Sequence, residues 1–115
     1  MSWEGFKVES CAGRRAEQRI VGVSGRLDLN TESEFLQQVR TETAPVVILD
    51  LSGVSHIDSR RVAALVQIYT AFELERRRLA LVGLSERVKH VLKITQVLRL
   101  FKVFATLTEA EEALA

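Results

Sequence analysis

Cys11 is the only cysteine in the 115 residues, so the chain closes no disulfide within itself and offers no cysteine pair to zinc. Histidine is nearly as scarce: His56 and His90 stand apart from any cysteine or acidic cluster at ligand spacing, and neither a metal nor a cofactor site is expected. No sign of charge is in excess, because sixteen Lys and Arg face fifteen Asp and Glu for a net charge of +1. That balance argues against nucleic acid or an anionic membrane as the main partner, since both need a concentrated cationic surface. The one basic run, Arg76-Arg77-Arg78, reads as a solvated helix end. The longest uncharged run, Val62 to Phe72, has 11 residues and is too short to span a membrane. Met-Ser-Trp-Glu-Gly, at the amino terminus, has neither the basic start nor the apolar stretch of a signal peptide, so a cytoplasmic protein without direct membrane insertion is expected. Phosphate-cradling motifs of the types Gly-x-x-x-x-Gly-Lys-Ser/Thr and Gly-x-Gly-x-x-Gly are also missing, which leaves nucleotide hydrolysis unsupported.

What is present describes one globular domain over 1–115: 47% hydrophobic and 27% charged residues, one proline and no low-complexity tract. Phe6, Val8 and Ser10 alternate with charged residues, and Arg19 to Ser24 follows a Gly13-Arg14-Arg15 interruption, so two antiparallel strands in a hairpin are expected. Thr31 lies three residues before Glu34, a spacing that predicts a reciprocal cap and a helix over 31–42 with Phe35, Leu36 and Val39 inward and Pro45 beyond its end. Val46 to Leu51 is a continuous apolar run, the pattern of a central strand covered on both faces, and Ser52-Gly53 reads as its end. A helix is expected over 59–77, with Val62, Leu65, Val66, Tyr69 and Phe72 as its stripe; Ala64, Ile68 and Ala71 widen the stripe enough to offer some of it to a partner. Leu79 to Val82 reads as a parallel strand, 85–95 as a helix, Val103-Phe104 as a short strand and 108–114 as a final helix capped at Thr108. The fold class is therefore α/β, with a mixed sheet of about five strands and four main helices.

Two polar clusters fall where the strands end, which is where sites gather in such sheets: Gly25-Arg26-Leu27-Asp28 and His56-Ile57-Asp58-Ser59-Arg60-Arg61. Ser59 as a nucleophile would need a base. His56, three residues earlier across a strand-to-helix turn, points away from it on this geometry, so no catalytic residue is expected and the chain is read as a binding module rather than an enzyme. By type alone, Asp58 and Ser59 suit a helix cap and Asp28 suits a turn.

These segments, with Asp50-Leu51-Ser52 at a strand end and Leu84-Ser85-Glu86-Arg87-Val88 opening a helix, resemble the STAS domain family, and within it the bacterial anti-sigma factor antagonists, over about Phe6 to Leu114. The resemblance implies that Ser59, directly after Asp58, is the position phosphorylated by an anti-sigma factor with serine kinase activity, with a serine phosphatase as a further partner. It also implies that the unphosphorylated form binds that factor and frees the sigma factor, with Asp28 near the partner; the expected topology gathers Asp28, Asp58, Arg60 and Arg61 around the start of the long helix as the partner-binding surface. The chain departs from the family pattern in three places: Arg60-Arg61 replaces a Ser/Thr and a Gly, Arg26 replaces a glutamate, and Gln96 replaces a common glycine. A guanidinium beside the phosphosite can pair with a phosphate in cis. The alternative role implied by the family is a non-phosphorylated subunit of a membrane transport complex; a small nucleotide-binding protein is a third reading, for which no motif is present. His56 is expected to be a half-buried strand residue.

Overall fold

The computed structural model describes residues 5–115; the four residues before Gly5, on which the expectation of no leader rests, lie outside it. Strands β1 (Lys7–Ala12), β2 (Gln18–Leu27), β3 (Val46–Ile57), β4 (Arg78–Val82) and β5 (Lys102–Phe104) form one sheet in that spatial order. β1 pairs antiparallel with β2, and the other three pairings are parallel. Helices α1 (Glu32–Thr41), α2 (Val62–Leu74) and α3 (Glu86–Ile94) are the crossovers, and α4 (Leu107–Ala113) closes the chain. The fold class is the one expected: a small α/β domain with a five-stranded mixed sheet and four helices.

Period-two patterning divides the core between the two sheet faces. Val21, Val23, Val47, Leu49, Leu51 and Leu81 point to the face covered by Phe35 and Val39 of α1, Leu65 and Phe72 of α2, and Val88 and Leu92 of α3. Ile20, Val46, Ile48, Ala80 and Val82 point the other way, where Ala110 of α4 and Leu114 cover them. Gln18, fully buried, binds α4 to the start of β2: its Nε2 donates to the Glu111 carbonyl at 2.8 Å.

Several boundaries move from expectation, each for a physical reason. β3 does not end at Ser52-Gly53 but continues to Ile57, and its register with β2 slips there. Gly53 is what permits the slip, because a Cβ at that position would come within 2.7 Å of the Ser24 Cβ. The helix expected over 59–77 is a 3₁₀ turn (Ser59–Arg61) followed by α2, which stops at Leu74. Thr31 does not cap α1 through Glu34. Its hydroxyl accepts from the Asp28 N–H at 3.0 Å and donates to the Arg26 carbonyl at 2.7 Å, while the Asp28 carbonyl serves the first N–H groups of the helix. The last helix is capped by Thr106, whose hydroxyl accepts from the Glu109 N–H, and not by Thr108. Ala64 and Ile68 are buried at 0% and 4% exposure and face the core, so of the three residues that widen the stripe of α2 only Ala71 is exposed.

Candidate functional site

The site lies at the carboxyl ends of β2 and β3. The two strands run side by side to the last pair, Leu27 with Ile57, and the Asp58 N–H then donates to the Leu27 carbonyl at 3.0 Å. This bond brings together two clusters that are thirty residues apart in sequence. Asp28 turns the chain out of β2, its Oδ1 accepting from the Asn30 N–H at 2.9 Å while Arg26 Nε approaches its Oδ2 at 3.8 Å. Leu29, between Asp28 and Asn30, is 71% exposed, an apolar side chain displayed on a polar loop.

Asp58 caps the turn that follows β3. Its Oδ1 accepts from the Arg60 N–H at 2.9 Å, and the Arg60 guanidinium folds back on the same carboxylate, with Nη2 3.3 Å from Oδ2. The Arg60 backbone bond and then its guanidinium hold the Asp58 carboxyl below the ordinary carboxylate range; desolvation opposes this, and the charges of Arg60 and Arg61 add to it. Ser59 is exposed on the first residue of the 3₁₀ turn. The backbone groups around it are already engaged: the Arg60 N–H by the Asp58 carboxylate, the Arg61 N–H by the Asp58 carbonyl at 2.7 Å, and the Val62 N–H by the carbonyl of Ser59 itself. A phosphate on Ser59 would therefore draw on the exposed guanidinium of Arg60 more than on free N–H groups.

Of the residues read from the sequence, Asp28, Asp58, Ser59 and Arg60 are brought to one surface. Arg61 is not displayed with them. Its side chain is 20% exposed and turned inward to Glu32 of α1, with Nη1 2.7 Å from Oε2, and its Nε is buried without a partner among the described residues. His56 is half-buried on β3, as expected. Leu29 is the feature that sequence reasoning passed over, although an apolar residue between Asp28 and Asn30 in a turn was the available signal. Among the described residues no three metal-binding side chains cluster and no helix is long and apolar enough to cross a membrane.

The STAS domain family model matches residues 13–110. The chain belongs to the STAS domain family. Its fold is shared with an anti-sigma factor antagonist from Mycobacterium paratuberculosis, at 21% identity and a TM-score of 0.79 over 93% of each chain. The Bacillus cell fate determinant SpoIIAA in its phosphorylated form matches at 18% identity and a TM-score of 0.70 over 96% of this chain and 99% of that one. A sulfate transporter family protein from Wolinella succinogenes matches at 21% identity and a TM-score of 0.76 over 86% of this chain and 85% of that one. Antagonists and transporter proteins alike are therefore built on this STAS fold.

Proposed function

We propose that this STAS domain is a cytoplasmic anti-sigma factor antagonist, a binding module rather than an enzyme, whose state is written by phosphorylation of Ser59. The observation that carries the proposal is the position of Ser59: exposed, directly after the capping Asp58, and beside the Asp28 loop on one end of the sheet. A kinase needs a hydroxyl that it can reach, and a switch needs that hydroxyl inside the docking surface; this position meets both needs. Phosphorylation adds about −1.5 to −2 charges next to the carboxylate of Asp58, so a partner surface shaped for a neutral hydroxyl must then desolvate a strongly anionic patch. Leu29 supplies the apolar contact of that surface and Arg60 its movable cation. Partners of this chemistry are an anti-sigma factor with serine kinase activity and a serine phosphatase that resets the hydroxyl.

Arg60, already paired with Asp58, would share its guanidinium with a phosphate and moderate the added charge. Incubation with the cognate anti-sigma kinase and ATP, followed by intact mass and fragment mapping, tests the reading. One added phosphate on Ser59, lost in Ser59→Ala, is the expected result. No addition would leave a non-phosphorylated STAS subunit as the function, and addition elsewhere would remove Ser59 from the switch.

A further inference from the structure

The net charge of +1 conceals a strong segregation. Residues 76–102 hold eight of the sixteen basic residues and only one, Glu86, of the fifteen acidic ones. The parallel topology places most of that excess at the end of the molecule opposite Ser59, because α2 and α3 run back against the strands and finish where β4 and β5 begin. Thirteen residues of α2, about 20 Å of helix at 1.5 Å per residue, separate the two ends.

Apolar side chains gather at the same end. Among the described residues three large apolar side chains are conspicuously exposed, and two of them, Leu74 at 82% and Ile94 at 63%, are the last residues of α2 and α3. Around them are exposed Arg76, Lys93, Arg99 and Lys102, none of which has a carboxylate partner among the described residues. Three carboxylates temper the patch: Glu75, engaged by Arg77 at 2.9 Å, Glu73, and Glu42, which is paired with Arg19 and lines a cavity together with Glu75 and Arg77. One cavity is lined jointly by Glu73, Arg78, Leu100 and Lys102, so the last turn of α2 and the start of β5 share a surface. Helix C-termini favour a cation each, which accounts for Arg76 and Lys93, and Arg99 Nε donates to the Gln96 carbonyl at 3.2 Å just past α3, but Lys102 has no such role. Nor do helix C-termini account for aliphatic tips standing in water.

We propose that this end of the domain docks on an anionic lipid surface, with Leu74 and Ile94 entering the headgroup boundary and Arg76, Lys93, Arg99 and Lys102 meeting the phosphates. Aliphatic side chains at protruding helix ends, ringed by long cationic stems, are the arrangement that an interface of apolar depth and anionic headgroups rewards. A concave protein pocket is not needed to receive them. Docked in this way, the domain lies on the membrane without crossing it, and the Ser59 end faces away, free for a protein partner. This inference is independent of whether Ser59 is phosphorylated.

Co-sedimentation of the full chain with vesicles of phosphatidylglycerol and phosphatidylcholine mixed one to one, against vesicles of phosphatidylcholine alone, tests it. Binding is expected to the mixed vesicles only and to collapse as salt is raised to about 0.5 M. Lys93→Glu with Lys102→Glu, and separately Leu74→Ser with Ile94→Ser, should each weaken it at least tenfold while melting as the parent does. In a Trp3→Phe background, the Ile94→Trp variant should show a blue shift of its indole emission on the mixed vesicles, a readout that does not depend on the other variants folding. Absence of binding at low salt, or unshifted emission from the Ile94→Trp variant, overturns the proposal. Binding to polyglutamate or duplex DNA that depends on Lys93 and Lys102 but not on Leu74 and Ile94 would also overturn it, in favour of an acidic macromolecule.

Discussion

Arg61 Nη1 donates to Glu32 Oε2 at 2.7 Å and thereby ties the turn before α2 to the first residue of α1. Both side chains are largely buried, at 20% and 23% exposure, so Arg61 belongs to the frame of the site and not to its displayed surface. A charge-assisted bond in such surroundings contributes about 1.5–3 kcal/mol, and reversing one charge leaves two like charges facing each other. Arg61→Glu and Glu32→Gln should therefore lower the urea-unfolding free energy by about 1–3 kcal/mol each. Their double-mutant cycle should show coupling. Stability unchanged within error in both would mean that the pair is surface decoration.

Leu49 and Leu65 belong to one sheet–helix interface, both at 0% exposure. Replacing either by alanine should cost about 2–5 kcal/mol through the cavity it leaves. Denaturant unfolding checks this; a loss under about 1 kcal/mol at both would mean that the interface collapses freely around the gap.

α2 and α3 end in the same way, and neither with the expected residue. After Leu74, Arg76 takes φ 57° and the Arg77 N–H donates back to the Phe72 carbonyl at 2.8 Å; after Ile94, Gln96 takes φ 61° and the Val97 N–H donates to the Leu92 carbonyl at 2.9 Å. Glycine holds this left-handed position without the Cβ clash that costs other residues about 1–2 kcal/mol. Arg76→Gly and Gln96→Gly should each raise stability by roughly 0.5–1 kcal/mol, part of the relief being offset by glycine's unfolded-state entropy. Thermal melts will show it as a rise of a few degrees, and a fall at both positions would refute it.

Much of the fold was legible because its signals are local. The apolar run of β3, the Ser85 cap on the Val88 N–H and the Phe35–Val39 spacing are read within a few residues, and they hold. What could not be read are relationships across the chain. Arg61 looks like a surface cation until Glu32, twenty-nine residues away, is seen to receive it. Thr31 looks like a cap until Asp28 and Arg26 claim its hydroxyl. Ser52-Gly53 looks like a strand end until pairing with β2 carries the chain through it. At the site, Asp28, Asp58, Ser59 and Arg60 were all visible as residues, but their convergence depends on the Asp58 to Leu27 bond.

Glu42 sets an acid limit. Burial pushes its carboxyl upward, but donation from Ser10 Oγ at 2.7 Å, Arg19 Nε at 3.3 Å with its charge, and the Ala44 N–H outweigh that and hold it below the ordinary glutamate value. Because the folded value lies under the unfolded one, the stabilisation is fully present above the unfolded value and fades as pH falls through the folded value. Asp58, also held below its ordinary value, acts in the same direction. Urea unfolding from pH 7 to pH 3 should show stability falling at the acid end, with a shallower fall in Glu42→Gln. An identical slope in that variant would place the acid sensitivity elsewhere.

The most direct test is the affinity of the anti-sigma factor for two forms of this chain, one unmodified and one carrying phosphoserine installed at position 59 during synthesis, compared by calorimetric titration. Installing the phosphate separates its effect from any question of which kinase adds it. The switch predicts binding at least tenfold weaker for the phosphorylated form, about 1.4 kcal/mol or more, with both forms melting alike and Ser59→Ala binding as the unmodified chain does. Equal affinity of the two forms would contradict it.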